Sequence, residues 1–214
     1  MIETVDHIII VVEDLHSAEE NYTKILGLKP VWSGAHDALG TSNVLFNFEN
    51  TYLELLSATG SGIGADLVKQ TIKEKGDSLL GLVLGTKDIN SFREIIKKSG
   101  HSLSELSDGE GKNEQNEQRE WLLQFLPNEL TRGIFSFVIE HKSEGLPLFT
   151  KDKSTVSRLE QVVVKTNDIN GFIKVYRDIF GIRLALDKFV EAWKKRIIFF
   201  RLNKTTIEVI EEKN

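Results

Sequence analysis

The feature that most constrains this chain is an internal repeat. Residues 7–15 align with residues 161–169 at an offset of 154. The same offset, without a gap, aligns residues 52–56 with residues 206–210. Two separated segments in one ungapped register indicate that the first and last thirds of the chain are copies of one structural unit.

A third, weaker copy lies in the middle of the chain. Residues 79–89 align with the first copy at an offset of 74, and Gly81 then stands where the first copy has His7. This copy is longer because residues 107–118 form a polar tract without an apolar period. We interpret that tract as an exposed, mobile hairpin tip.

Each copy has the pattern of one β-α-β-β-β module. In the first copy, a β-branched run predicts a buried strand, and apolar residues with helical spacing follow between Asp14, a predicted N-cap, and Gly27, a predicted helix end. The strands are predicted over residues 6–12, 29–33, 43–48 and 51–56. We divide the chain into module one (1–58), a linker helix plus module two (59–145) and module three (155–214). Pro147 and residues 151–154 are the predicted linker before module three.

Composition and motifs exclude several classes of function. The chain has 27 basic and 32 acidic residues, a net charge of −5 that argues against nucleic acid as a partner. It has no apolar stretch of the roughly 18 residues that a membrane helix needs, and it lacks nucleophile-elbow, phosphate-loop and dinucleotide motifs. The absence of cysteine excludes disulfides and thiolate metal sites and fits a cytoplasmic protein.

Several segments together resemble a known group of proteins. The chain is similar to the vicinal oxygen chelate superfamily and, more narrowly, to its glyoxalase-like family. The resemblance covers nearly the whole chain and is carried by residues 6–8, 14–15, 22–28, 32–43, 52–55 and 135–140. It implies an α+β fold in which repeated βαβββ modules form cupped mixed sheets around a shared pocket.

The resemblance also implies a metal site. Strand alternation places His7 on one face with Ile9, and Glu54 on one face with Tyr52. In the family, both of these positions point into the cup, where imidazole and carboxylate groups are suitable ligands for a divalent metal such as Zn, Ni, Mn or Fe.

The matching positions of module three are Gln161 and Glu208, which would complete a His-Glu-Gln-Glu set if modules one and three faced one another, within a chain or across a dimer. Alternatively, modules one and two share the cup. Gly81 then leaves the set incomplete, and His7 and Glu54 are a hydrogen-bonded pair inside the pocket.

Further candidates for the site come from the predicted second and third strands and from module two. His36 is a third ligand or a general base, or else a solvated residue of a surface loop over residues 34–40. Arg119 is an anion clamp over the pocket, or a rim arginine without a function. The residues interpreted as substrate-binding are Trp32, Thr41, Asn43, Phe46 and Arg119. No function is assigned to His16, His101 or His141.

The odd number of modules predicts an assembly. A βαβββ sheet buries its concave face only by pairing with a second sheet, so one module of three is left without a partner. We therefore expect a homodimer related by twofold symmetry.

Two functional hypotheses follow. In the first, the protein is a metal-dependent lyase, isomerase or dioxygenase that acts on a small oxygenated organic molecule. The metal polarises an oxygen of the substrate, and a carboxylate such as Glu54 or Glu208 transfers a proton. In the second, the same cup binds and sequesters a small molecule without a metal and without catalysis. The retention of His7 and Glu54 favours the first hypothesis, and Gly81 favours the second.

Overall fold

The structure is a computed structural model that describes residues 1–143, 145–147, 149 and 155–212. Strands dominate it. They are β1 (Thr4–Val11), β2 (Trp32–His36), β3 (Thr41–Asn47), β4 (Tyr52–Ala58), β5 (Ser78–Gly85), β6 (Ser107–Asn113), β7 (Gln118–Phe125), β8 (Phe135–His141), β9 (Gln161–Thr166), β10 (Arg183–Val190), β11 (Lys195–Leu202) and β12 (Thr205–Glu211). The helices are α1 (Leu15–Leu26), α2 (Ile63–Lys75), α3 (Ile89–Lys98), α4 (Asn128–Thr131) and α5 (Ile169–Phe172), which continues as a π-helix over Ile173–Ile179.

The first helix of each module begins with the same capping interaction. The carboxylates of Asp14, Asp88 and Asp168 accept a hydrogen bond from the backbone N–H three residues later, at Ser17, Ser91 and Gly171. This satisfies a donor that the first helical turn leaves free, so the aspartate fixes where each helix begins. Gly27 ends α1 in the left-handed conformation (φ 66°).

Modules one and two close into one eight-stranded barrel. Its strand order is β1-β4-β3-β2-β6-β7-β8-β5. The modules meet at two antiparallel seams, β1 with β5 and β2 with β6. Each module thereby covers the concave face of the other, which confirms the predicted α+β fold with cupped sheets.

Module three forms a separate four-stranded sheet of order β10-β11-β12-β9. Its helix packs against module two, where the Phe180 ring lies 5.8 Å from the ring of Phe92 on α3. An ion pair between Arg132 and Asp168 joins the same two modules. On the other side, Asn50 of the β3–β4 turn donates a hydrogen bond of 2.6 Å to the Thr205 hydroxyl. Module three therefore lies against the outside of the barrel and does not face module one across a common hollow.

The polar tract of module two is only in part an exposed hairpin tip, over residues 114–117. Most of it forms β6 and the beginning of β7, which extend the barrel wall. Gly109 and Gly111 take inward positions on β6, because a side chain at Gly109 would overlap the Trp121 ring and one at Gly111 would meet His36 and Trp121. Glycine at the inward positions removes the apolar alternation that normally reveals a strand.

The second strand is also shifted from its predicted position. It spans Trp32–His36 instead of residues 29–33, so the segment after Gly34 is strand and one turn of 3-10 helix over Asp37–Leu39. The alternative in which His36 belongs to a surface loop is therefore wrong. Pro147 lies in the segment before module three, and the predicted linker residues 151–154 lie outside the described residues. Within the described ranges, no helix is long and apolar enough to cross a membrane.

Candidate functional site

The interior of the barrel carries a buried charged pair from module one. β1 and β4 run parallel in a register that pairs His7 with Tyr52 and Ile9 with Glu54, so His7 and Glu54 face the same side. The imidazole Nε2 lies 3.2 Å from Glu54 Oε2, and the two residues are only 3% and 7% exposed. The two groups therefore face the same interior, as the resemblance to the family implies.

A second carboxylate holds the other side of the imidazole. His7 Nδ1 lies 2.7 Å from Asp6 Oδ1. Burial opposes the charged form of His7, but the hydrogen bonds to Asp6 and Glu54 outweigh it and raise the pKa of His7 to about 9. Burial likewise opposes the ionised form of Glu54, but the hydrogen bond from His7 lowers the pKa of that carboxyl. At neutral pH the centre of the site is an imidazolium between two carboxylates.

Polar groups of β2 and β3 extend this network. Asn43 donates from Nδ2 to Glu54 Oε1 at 2.7 Å, and His36 Nδ1 lies 3.1 Å from the Thr41 hydroxyl. The His36 ring packs edge-on against Trp121, with centroids 5.7 Å apart. Burial lowers the pKa of His36, so this imidazole is neutral at pH 7. Three of the predicted site residues therefore belong to one buried network with Glu54.

Arg119 reaches the same region from β7. Its guanidinium carbon lies 5.5 Å from the ring centroid of Trp32 and 5.9 Å from that of Tyr52, so two aromatic faces hold the cation. Its Nε is buried without a hydrogen-bond partner, and no carboxylate among the described residues lies within ion-pair distance of it. Within the described part of the chain, the contacts that compensate this cation are these two aromatic faces.

A cleft opens beside Arg119 at one end of the barrel. It has a volume of about 520 Å³. Its wall comprises Thr4, Val5, Asp6, Asn47, Phe48, Glu49, Asn50, Thr51, Tyr52, Arg119, His141, Gly145, Leu146 and Phe149. The volume is within the range of small-molecule sites.

The centre of the barrel carries two of the four ligands that the predicted metal site needs. His7 and Glu54 are suitable ligands, but the register of β5 and β8 places Gly81 and Phe137 at the equivalent positions of module two. The Phe137 ring packs edge-on against His7, with centroids 6.2 Å apart. Among the described residues, no three histidine or acidic side chains converge as metal ligands. The residues present therefore do not fit a bound divalent metal.

Module three does not complete the predicted ligand set within this chain. Gln161 donates to Glu208 at 2.8 Å, but both residues lie on the separate sheet, whereas module two closes the barrel around His7 and Glu54. The arrangement in which modules one and two share the hollow is the one observed.

Phe46 was wrongly predicted to bind substrate. It is fully buried on the outer face of the barrel wall, where its ring lies 6.5 Å from that of Tyr22 on α1. Asn43 and Phe46 are three residues apart in one strand, so they point to opposite faces.

Sequence reasoning missed four residues of the site. Asp6 was noted only as part of a motif, Tyr52 and Trp121 were assigned no function, and His141 was set aside. The sequence contains a weak signal for Trp121, because it lies two residues after the predicted Arg119 on one strand, and residues at that spacing share a face. His141 ends the next strand and was not identifiable without knowing the pairing of β7 and β8.

The raised pKa of His7 predicts a pH-dependent stability. The folded pKa of about 9 exceeds the ordinary value of 6.5, so the contribution of His7 is fully present below about pH 6.5 and is lost as the pH rises through 9. We expect the free energy of unfolding to fall by about 3 kcal/mol over that range, from roughly 1.4 kcal/mol per pKa unit. Urea unfolding of the wild type and His7→Gln at several pH values measures this, and the variant should lack the slope.

The matched control is His16→Gln, because the side chain of His16 on α1 is 84% exposed. That variant should keep the wild-type slope. A wild-type stability that stays flat between pH 6.5 and 9.5 would contradict a charged His7.

The comparisons with known proteins agree with this architecture. The family model described as a glyoxalase-like domain matches residues 5–180. A crystal structure of a hypothetical protein from Staphylococcus aureus superposes with a TM-score of 0.72 at 16% identity, covering 97% of this chain and 86% of that one. No curated protein matches the chain in sequence.

Solved structures of methylmalonyl-CoA epimerases are also similar to part of the chain. A variant of the Streptomyces coelicolor methylmalonyl-CoA epimerase in complex with 2-nitronate-propionyl-CoA has a TM-score of 0.53 at 18% identity, covering 67% of this chain and 100% of that one. The epimerase from Mycobacterium tuberculosis has a TM-score of 0.52 at 18% identity, covering 65% and 88%. At these identities the likeness concerns the fold alone. The family-model match, together with the paired βαβββ modules, shows that the chain belongs to the glyoxalase-like family of the vicinal oxygen chelate superfamily.

Proposed function

We propose that the barrel of modules one and two binds a small organic anion, with Arg119 as its counter-ion. The observation that carries this proposal is that Arg119 lines the cleft without an anionic partner among the described residues. A partly buried guanidinium without a counter-charge is costly, and an arriving carboxylate would relieve that cost through charge-assisted, bidentate hydrogen bonds.

The walls favour a ligand with an apolar part. Phe48, Leu146 and Phe149 line the cleft, and the aromatic rings of Trp32 and Tyr52 flank the cation. One structural neighbour, the Streptomyces coelicolor epimerase variant, was solved in complex with a CoA ester, which supports an acyl ligand for this chain. We therefore infer a carboxylate on an apolar or acyl body as the class of ligand.

Metal-dependent chemistry, our first hypothesis, has weaker support. His7 and Glu54 are the pair that favours it, but Gly81 and Phe137 occupy the equivalent positions of module two. Glu54 is also a poor general base, because it accepts hydrogen bonds from His7 and Asn43 and its pKa is lowered. His36 is the other predicted catalytic residue. Its Nδ1 lies near the Thr41 hydroxyl, and its Nε2 lies near the side-chain amide of Asn43.

We also propose that the chain forms a homodimer through module three. Its edge strands β9 and β10 correspond to β1 and β2, whose antiparallel pairing with module two closes the barrel. Val163 on β9 is 45% exposed on the sheet face that also carries Glu208. A second copy, related by a twofold axis, would cover this face as module two covers module one.

We place the protein in the cytoplasm, a proposal that rests on its lack of cysteine.

The role of Arg119 can be tested with 2-oxobutanoate, a small carboxylate, as the probe. We expect Arg119→Gln to weaken binding by roughly 10- to 100-fold, because a charge-assisted hydrogen-bonded pair is lost. Isothermal titration calorimetry measures the affinities. Arg119→Lys keeps the charge and should retain part of the affinity.

Arg177→Gln is the matched control, since Arg177 is exposed on module three and pairs with its neighbour Asp178. It should bind as the wild type does. Equal affinities for Arg119→Gln and the wild type, or no binding by the folded wild type, would contradict the proposed counter-ion.

Metal content separates this proposal from metal-dependent chemistry. Because the described donor set stops at two residues, protein purified without chelator or an affinity tag of histidines should carry much less than one metal per chain, and its melting temperature should not change with EDTA. Elemental analysis and a thermal scan test this. Stoichiometric metal that is lost in His7→Ala would instead support the metal-dependent enzyme.

The dimer proposal predicts the effect of a charge on the open sheet face. Wild type should have twice the 24.2 kDa chain mass in light scattering, and Val163→Asp should shift it toward the monomer, since the buried carboxylate would lack a partner. Ile63→Asp, at a residue of α2 that is 80% exposed, is the control and should remain dimeric. A wild type that is monomeric at every concentration would rule out the assembly.

A further inference from the structure

A histidine without an assigned function lies at the mouth of the barrel. His141 is the last residue of β8 and pairs across the sheet with Trp121 of β7. It therefore shares a face with Trp121 and with Arg119, two residues earlier on β7. His141 and Arg119 line the same cleft, together with Asp6.

Asp6 orients the imidazole of His141. The Nε2 atom lies 3.0 Å from Asp6 Oδ2 and 3.2 Å from Oδ1, while Oδ1 also binds His7 Nδ1 at 2.7 Å. A carboxylate so placed accepts hydrogen bonds, so the proton of a neutral His141 is on Nε2 and the lone pair is on Nδ1.

Within the part of the chain that the structure describes, the second ring nitrogen of His141 is available to a ligand. Among the described residues no hydrogen bond to Nδ1 occurs, and the side chain is 27% exposed. A carboxylate that fixes one nitrogen while the other meets the reactant is the arrangement that makes histidine an effective proton acceptor. The buried pair of His7 and Glu54 has no comparable free position, because each of its polar ends is already bound.

We propose that His141 is a proton-transfer residue for a carbon acid whose carboxylate is bound by Arg119. This inference rests on the proposed function, and it narrows the ligand to acids with an acidic C–H near the carboxylate, of which 2-oxo acids are the simplest class. The Nδ1 lone pair removes a proton from the carbon next to the carbonyl, and the C–H electron pair moves into the enolate. The imidazolium, with Nε2–H on Asp6, then returns a proton to carbon, so the step needs no oxidant or metal.

Arg119 assists this step by its charge. The enolate carries a negative charge that the reactant carbonyl lacks, and a fixed cation beside it stabilises that charge more than it stabilises the reactant. The Trp32 and Tyr52 rings hold the guanidinium in place before the ligand arrives, which limits the reorganisation needed during the reaction.

Hydrogen exchange in D₂O tests the inference directly. The probe is 2-oxobutanoate, and proton NMR follows the loss of its C3 methylene signal. We expect the wild type to exchange this position at least roughly 100-fold faster than His141→Gln, the usual size of a general-base contribution. The glutamine amide can still donate to Asp6, so this variant should fold and should bind the probe within about threefold of the wild type. His16→Gln, at an exposed residue of α1, should exchange as the wild type does.

The outcomes separate this inference from the proposed function. A wild type that binds 2-oxobutanoate in calorimetry but exchanges it no faster than folded His141→Gln overturns the role of His141 and leaves Arg119 as the counter-ion. A folded wild type that does not bind the probe overturns both. If His141→Gln does not fold, His141→Asn replaces it, and exchange at the wild-type rate by that variant also overturns the role of His141.

Discussion

The architecture depends on one constraint: the concave faces of modules one and two must cover each other. A βαβββ sheet packs one face on its own helix, and its other face stays exposed unless a second sheet arrives. Here β1 pairs with β5 and β2 pairs with β6, so the sheets close into a barrel without free edges. The hollow between them is thereby removed from water, and every charge that points into it must be neutralised by a neighbour or by a ligand.

The two modules contribute different chemistry to that hollow. Module one supplies the His7–Glu54 pair, whereas module two places Gly81 and Phe137 at the equivalent positions and packs aromatic rings there. The imidazolium of His7 is compensated internally by Asp6 and Glu54. Arg119 has no such compensation within the described residues, and this difference separates a pair that stabilises the fold from a cation available to a ligand.

Much of the fold could be predicted because its signals are local. The aspartate caps, the helix-ending Gly27 and the β-branched runs act over a few residues, so the order of elements in each copy follows from them. The prediction was wrong for most of the polar tract because the inward positions of β6 are Gly109 and Gly111, which leave room for rings from β7 instead of forming an apolar pattern. The prediction was also wrong for Phe46. The candidate residues were chosen because they lie on the predicted strands, without regard to the sheet face that each residue occupies.

The sequence by itself determined the repeated βαβββ unit, because a repeat is visible residue by residue. Its resemblance to the family then implied that His7 and Glu54 point into the same cup. The tertiary structure decided which modules pair, and with that the composition of the site. Module two, and not module three, closes around His7, so Gln161 and Glu208 lie on another sheet and Arg119 and His141 lie at the mouth. These contacts join strands that are far apart in the chain. The pairing of sheets between modules depends on how whole faces and edges fit, and no local sequence pattern encodes that fit.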